Sequence, residues 1–184
     1  MKTVITYKVH AAVDGNDTKF SSTTLGVEGD DVTRINASDF YAENISFENA
    51  WGVETQSGPM ALAIRNTADR AAFYNCRFRS YQDTWYTDED AVNNRTYANN
   101  CWIEGAVDYF YGEGNAYIEN TKFYNKRSGS VVTAPCHKAG TLWGYVFQND
   151  TIDGTANAND GTQKLGRPWN NDPIAVYLNT TMNI

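Results

Sequence analysis

One short pattern recurs six times along the chain and constrains its fold more than any other feature. An Asn stands three positions before an apolar residue, with aromatic or aliphatic residues just upstream: Asn44/Phe47, Asn75/Phe78, Asn100/Ile103, Asn120/Phe123, Asn149/Ile152 and Asn179/Met182. The intervals between these Asn are 31, 25, 20, 29 and 30 residues. Self-similarity at a period of roughly two to three dozen residues marks a solenoid, in which each repeat buries its apolar face against the next. Within the copies apolar and polar residues often alternate, which is strand periodicity, and no segment holds a clean helical stripe beyond about a dozen residues. The expected architecture is all-β: a single-stranded right-handed parallel β-helix whose coils add strands to stacked parallel sheets at a rise of ~4.8 Å. Uneven intervals then mean loops of varying length bulging from the coils. The repeated Asn are expected to stack as a ladder inside the turns. An antiparallel sandwich with chance Asn spacing is the alternative.

Composition agrees with short strands and tight turns: 20 Asn, 19 Thr, 14 Gly and 12 Tyr stand beside only 4 Pro. A length of 184 residues suits one domain, 1–184. Fifteen Lys+Arg against 22 Asp+Glu give a net charge of −7, which argues against nucleic acid as a partner. No apolar run approaches the ~20 residues that cross a membrane, and Met1–His10 lacks the apolar stretch of a signal peptide. Three Cys, two His and no CxxC make a structural metal site unexpected. Cys76 and Cys101 share a phase, one position after the repeat Asn, and are expected to stack as buried thiols rather than a disulfide.

In a solenoid, residues at equal offset from the repeat Asn lie above one another. Asp83 and Asp108 each stand eight positions after such an Asn, Asn75 and Asn100. Two carboxylates are therefore expected side by side on adjacent coils, roughly 5 Å apart. At an effective dielectric near 20 they repel by about 3 kcal/mol, so such a pair tends to hold one proton, one member acid and one ionised. A hydrolase uses that division of labour. Two solvated aspartates on a coil surface satisfy the same spacing, and spacing alone does not choose between them.

The residues around the pair are more specific. YQDTWY (Tyr81–Tyr86), VDYFYG (Val107–Gly112) and LGRPW (Leu165–Trp169), in that order, resemble the QDTLY, DFIFG and LGRPW motifs of the pectin methylesterases. GVEGDDVTRINASDFYAENISFENA and MALAIR (Met60–Arg65) resemble upstream stretches of the same family, so that the likeness runs from about Lys2 to the end. It implies a parallel β-helix that hydrolyses methyl esters of galacturonate in pectin (homogalacturonan) and releases methanol. Asp108 would be the nucleophile, Asp83 the general acid and then base, Gln82 an oxyanion donor, and Arg167 the partner that orients Asp108. Trp169 would offer an apolar face to a sugar ring, with Tyr109, Tyr111, Trp85 and Met60 as further substrate-binding positions. No metal or organic cofactor is implied. The setting by analogy is extracellular or periplasmic.

Departures from the family pattern are as informative. Met60 stands where the family carries a second oxyanion-hole Gln; it cannot donate a hydrogen bond, although Gln56 and Ser57 lie just upstream. Thr87–Asn94 reads as a small insertion near the groove. The first and last coils of the family are without counterparts, which implies exposed sheet edges and self-association through them. Two rival functions remain at this level: a retaining glycoside hydrolase, which also uses two carboxylates about 5 Å apart, and a catalytically weak or inactive β-helix that binds galacturonan.

Overall fold

The computed structural model describes residues 3–9, 31–87 and 93–184. Every strand pairing among them is parallel. The first strand is β1 (Thr3–Tyr7). The next coils carry β2 (Asp31–Ile35), β3 (Tyr41–Glu43) and β4 (Ile45–Asn49), then β5 (Leu62–Asn66), β6 (Ala71–Tyr74) and β7 (Arg77–Arg79). They continue with β8 (Trp85–Thr87), β9 (Arg95–Asn99) and β10 (Trp102–Gly105), then β11 (Phe110–Gly112), β12 (Asn115–Glu119) and β13 (Lys122–Asn125). Last come β14 (Val131–Pro135), β15 (Tyr145–Gln148) and β16 (Thr151–Gly154), then β17 (Lys164–Gly166), β18 (Ala175–Leu178) and β19 (Thr181–Met182).

Every third strand joins the same sheet. Sheet A runs β1-β4-β7-β10-β13-β16-β19, sheet B β2-β5-β8-β11-β14-β17, and sheet C β3-β6-β9-β12-β15-β18. Three parallel sheets wound from successive coils are a parallel β-helix. The sequence repeat maps onto it directly: the apolar member of each copy becomes the inward row of sheet A, where Phe47, Phe78, Ile103, Phe123, Ile152 and Met182 are in register. All but Met182 are buried. Sheet B contributes Ile64, Trp85 and Phe110, and sheet C contributes Phe73, Ala98, Ile118 and Phe147. These rows meet as a column of rings. Phe47 and Phe78 stack at 5.4 Å, Phe73 meets Phe78 edge-on at 5.4 Å, and Phe78 lies 4.0 Å from Trp85.

The Asn ladder lies elsewhere than expected. Asn44, Asn75, Asn100, Asn120, Asn149 and Asn179 each form the one-residue corner between sheets C and A, with φ between 49° and 60°. Their side chains sit at or near the surface rather than inside the turn. The left-handed backbone selects Asn here, because a short polar side chain tolerates that region at little cost. The interior ladder is built by the residue that follows. The Cys76 N–H donates to Cys101 Sγ (3.4 Å), the Cys101 N–H to Thr121 Oγ1 (3.1 Å), and the Thr121 N–H to Asp150 Oδ1 (2.7 Å). Both cysteines are buried and free.

Candidate active site

The corner between sheets A and B carries the sequence-derived residues. On one coil β7 leads through Gln82 and Asp83 into β8; on the next, β10 leads through Val107 and Asp108 into β11. Gln82 and Val107 form a parallel bridge, and the Asp83 N–H donates to the Val107 carbonyl at 2.9 Å. Coil-on-coil pairing therefore persists through the corner, and it places Asp83 and Asp108 at the same phase of neighbouring coils. Both have left-handed backbones, with φ 59° and 48°, and both are buried. A buried carboxylate needs a partner, and Asp108 has one. Arg167 Nε donates to its Oδ1 at 2.8 Å, and Arg167 Nη2 bonds Oδ2. That fork fixes the plane of the Asp108 carboxylate. The bond to Asp108 raises the Arg167 pKa, and the charge of Asp83 adds to the effect, so both acids lie in the field of one guanidinium.

Local sequence explains how Arg167 arrives there. β17 pairs with β14 through Thr133 and Gly166, and the Arg167 N–H donates to the Thr133 carbonyl at 3.0 Å. A side chain at Gly166 would meet Thr133 Oγ1 at 2.6 Å, so the glycine of LGRPW lets the strand approach this closely. Trp169 is anchored by its N–H to the Pro135 carbonyl (3.1 Å). Its ring is exposed and lies 4.9 Å from the Arg167 guanidinium. One exposed aromatic plane therefore flanks the ion pair.

Gln82 is half-buried next to Asp83, and its carbonyl accepts from the Ala61 N–H at 3.2 Å. This bond seats Met60, also half-buried, one coil below the dyad corner. The Gln56 side-chain amide donates to the Val53 carbonyl within its own loop. Of the insertion expected at Thr87–Asn94, residues 88–92 lie outside the described residues.

Two expected substrate-binding residues belong to the core instead. Trp85 is 0% exposed, wedged among Phe73, Phe78 and Phe110. Tyr109 is also 0% exposed, and its hydroxyl donates to Asn125 Oδ1 at 2.9 Å. The left-handed aspartates reset the strand alternation, so Thr84 and Trp85 on one coil, and Tyr109 and Phe110 on the next, are all buried. The outward row of sheet B starts one residue later. It includes Arg65, Tyr86 and Tyr111 in register, with the Arg65 guanidinium 4.7 Å from the Tyr86 ring and the Tyr86 and Tyr111 rings 4.8 Å apart. Tyr111, expected at the site, is in this row. Arg65 and Tyr86, which the motifs do not single out, join it there; alternation counted from the first residue of each strand, rather than from the aspartate, finds them. Among the described residues no group of three or more His, Cys, Asp or Glu gathers as a metal centre.

The arrangement holds a clamped carboxylate, a second carboxylate on the adjacent coil, a neighbouring amide and an exposed indole. A nucleophile, a proton donor, an oxyanion donor and a sugar platform need those groups. Comparison with known proteins points the same way. The Pectinesterase family model matches residues 1–184. Pectinesterase 31 of Arabidopsis thaliana is 39% identical over 135 residues, which is 73% of this chain and 40% of the relative. The carrot pectin methylesterase structure superposes with a TM-score of 0.77 at 26% identity, covering 98% of this chain and 54% of the other. A pectin methylesterase solved in complex with a hexasaccharide gives a TM-score of 0.82 at 23% identity, covering 98% of this chain and 61% of that one. The chain thus spans about 40 to 60% of the length of these proteins, and within that span it belongs to the pectinesterase family.

Proposed function

We propose that the chain is a carbohydrate esterase that hydrolyses methyl esters of galacturonate in pectin and releases methanol. The observation that carries this reading is the placement of Asp83 and Asp108 at one phase of adjacent coils, with Arg167 forked onto Asp108. Asp108, oriented by the Arg167 fork, attacks the ester carbonyl. The carbonyl π electrons move onto oxygen, and the Gln82 amide donates to that oxyanion. Collapse breaks the carbon–methoxyl bond. Asp83 gives its proton to the departing oxygen, so methanol leaves and an Asp108–galacturonyl anhydride remains. Asp83, now ionised, takes a proton from water; the resulting hydroxide attacks the galacturonyl carbon, and Asp108 leaves as a carboxylate. Each turnover consumes one water and yields one methanol and one uronic acid, which ionises at neutral pH. Trp169 offers its exposed face to a sugar ring beside the reacting ester. The substrate is the polysaccharide pectin, and an extracellular or periplasmic setting goes with it.

Methanol release from highly methylated pectin tests the reading. The wild-type protein should release methanol, and Asp108→Asn should reduce release to background while the protein stays folded. New reducing ends in place of methanol would indicate glycosidic cleavage and overturn the esterase. A folded wild-type protein that binds pectin but yields neither product would leave galacturonan binding as the function. The rival binding reading has one observation in its favour: Met60 stands where a second oxyanion donor is expected.

A further inference from the structure

The outer face of sheet A gathers cations and aromatic rings. Two outward rows run along it in register. The first contains Arg77, Trp102 and Lys122, and the second Arg79, Glu104 and Tyr124. Lys126 extends the second row from the end of β13. Trp102 lies between two cations, 5.1 Å from the Arg77 guanidinium and 5.3 Å from Lys122 Nζ. Tyr124 is flanked by Lys122 Nζ at 5.5 Å and Lys126 Nζ at 5.8 Å, and the Trp102 and Tyr124 rings are 4.8 Å apart.

The acids of this face are paired with its cations. The Glu104 side chain is 2% exposed; it accepts from Arg77 and Arg79 at 2.9 Å each and from the Trp102 indole at 2.7 Å. Glu48 and Asp153, paired with Arg79 and Lys122, are 22% and 24% exposed. The cations Arg77, Arg79, Lys122 and Lys126 are 39%, 30%, 34% and 21% exposed. On this face four cations, Arg77, Arg79, Lys122 and Lys126, stand against three carboxylates, Glu48, Glu104 and Asp153, in a chain of net charge −7. On sheet C the outer face is different, with Tyr97 and Tyr117 hydroxyls donating to Glu119.

We propose that this face is a binding strip for anionic uronate blocks of the polysaccharide, a surface separate from the Asp83/Asp108 groove. Cations alternating with aromatic faces suit a polymer whose every ring has a carboxylate and an apolar C–H face. Continuity supplies the second argument. β7 and β10 run directly into the corners that hold Asp83 and Asp108, and Arg127, next after Lys126, lies 5.8 Å from the ring of Tyr81 beside Gln82. A chain leaving the dyad toward sheet A meets the cations within a few residues' length of strand. The origin of the ligand rests on the esterase reading, because ester hydrolysis turns a neutral galacturonate ester into the anion that the strip recognises.

The test is calorimetric binding of a fully de-esterified oligogalacturonate to the wild-type protein, to Lys122→Gln/Lys126→Gln, and to Arg95→Gln, which removes a cation from sheet C. Binding should weaken about five-fold or more in the double variant, change little in Arg95→Gln, and weaken in wild type as salt is raised. Equal affinity in all three proteins, equal weakening in both variants, or wild-type affinity indifferent to salt would each overturn the strip. So would tighter binding of a single-stranded RNA than of the uronate. The salt series needs no variant and holds even where the double substitution impairs folding. Methanol release by the same wild-type preparation separates the two proposals: release without strip binding removes only the strip, whereas strip binding without release removes the esterase and leaves a uronate-binding surface.

Discussion

Arg167 is the residue on which the proposed chemistry depends most visibly, and Met60 is the one at which it is weakest. The fork from Arg167 fixes the Asp108 carboxylate, whereas the position one coil below offers a thioether and no donor. Losing one oxyanion donor typically costs about 10²–10³ in turnover. Met60→Gln should therefore raise kcat by about ten-fold or more if oxyanion stabilisation limits the wild-type enzyme, with methanol release under saturating pectin as the measurement. An unchanged kcat would mean that the transition state is stabilised by other donors. The residue scale is also where sequence was least legible. Asp83, Asp108 and Arg167 are recognisable because their motifs are specific. Trp85 and Tyr109 are misplaced by the same motifs, because a left-handed aspartate resets which side chains face the core, and a motif does not show backbone conformation.

Among the elements, the one-residue corner between sheets C and A deserves comparison with the strands it joins. The repeat reveals this corner in sequence because two constraints meet there: an inward apolar residue every coil, and a backbone of φ near +50° that few residues accept. What the repeat hides is which constraint chose the Asn. The answer is the backbone, since the side chains are outside and the interior cap ladder belongs to Cys76, Cys101, Thr121 and Asp150. The distinction is measurable. Asn100→Ala should destabilise by about 1–2 kcal/mol, the cost of a Cβ in the left-handed region, whereas Asn100→Gly should be close to neutral in denaturant titrations. If alanine and glycine cost the same, the Asn side chain rather than its backbone would be the stabilising feature.

For the whole molecule, the interior ladder links stability to pH. Burial pushes the Asp150 carboxyl up to about 7, against the hydrogen bonds that it accepts from backbone N–H groups. With a folded pKa above the unfolded one, the folded chain binds more protons between about pH 4 and 7. The contribution of Asp150 to stability is therefore greatest below that window and is lost as pH rises through it. Asp150→Asn keeps the acceptor for the Thr121 N–H without the charge. Its melting temperature should exceed that of wild type at pH 8, and the difference should vanish near pH 4. A difference independent of pH would show that the carboxyl does not titrate in this window. Fold class was legible at this scale because a solenoid writes its period into the sequence, while a buried acid at one rung leaves no periodic trace.

The corners that hold Asp83 and Asp108 stay in register although the intervals between repeat Asn vary from 20 to 31 residues. Length differences are absorbed outside the paired segments, so loop length and coil alignment are independent variables. A whole loop can be exchanged without moving either carboxylate, whereas a single residue inserted between Arg79 and Asp83 would displace one acid from its counterpart. Such a protein is tolerant of large edits and intolerant of small ones, and the boundary between the two kinds runs along the strand ends.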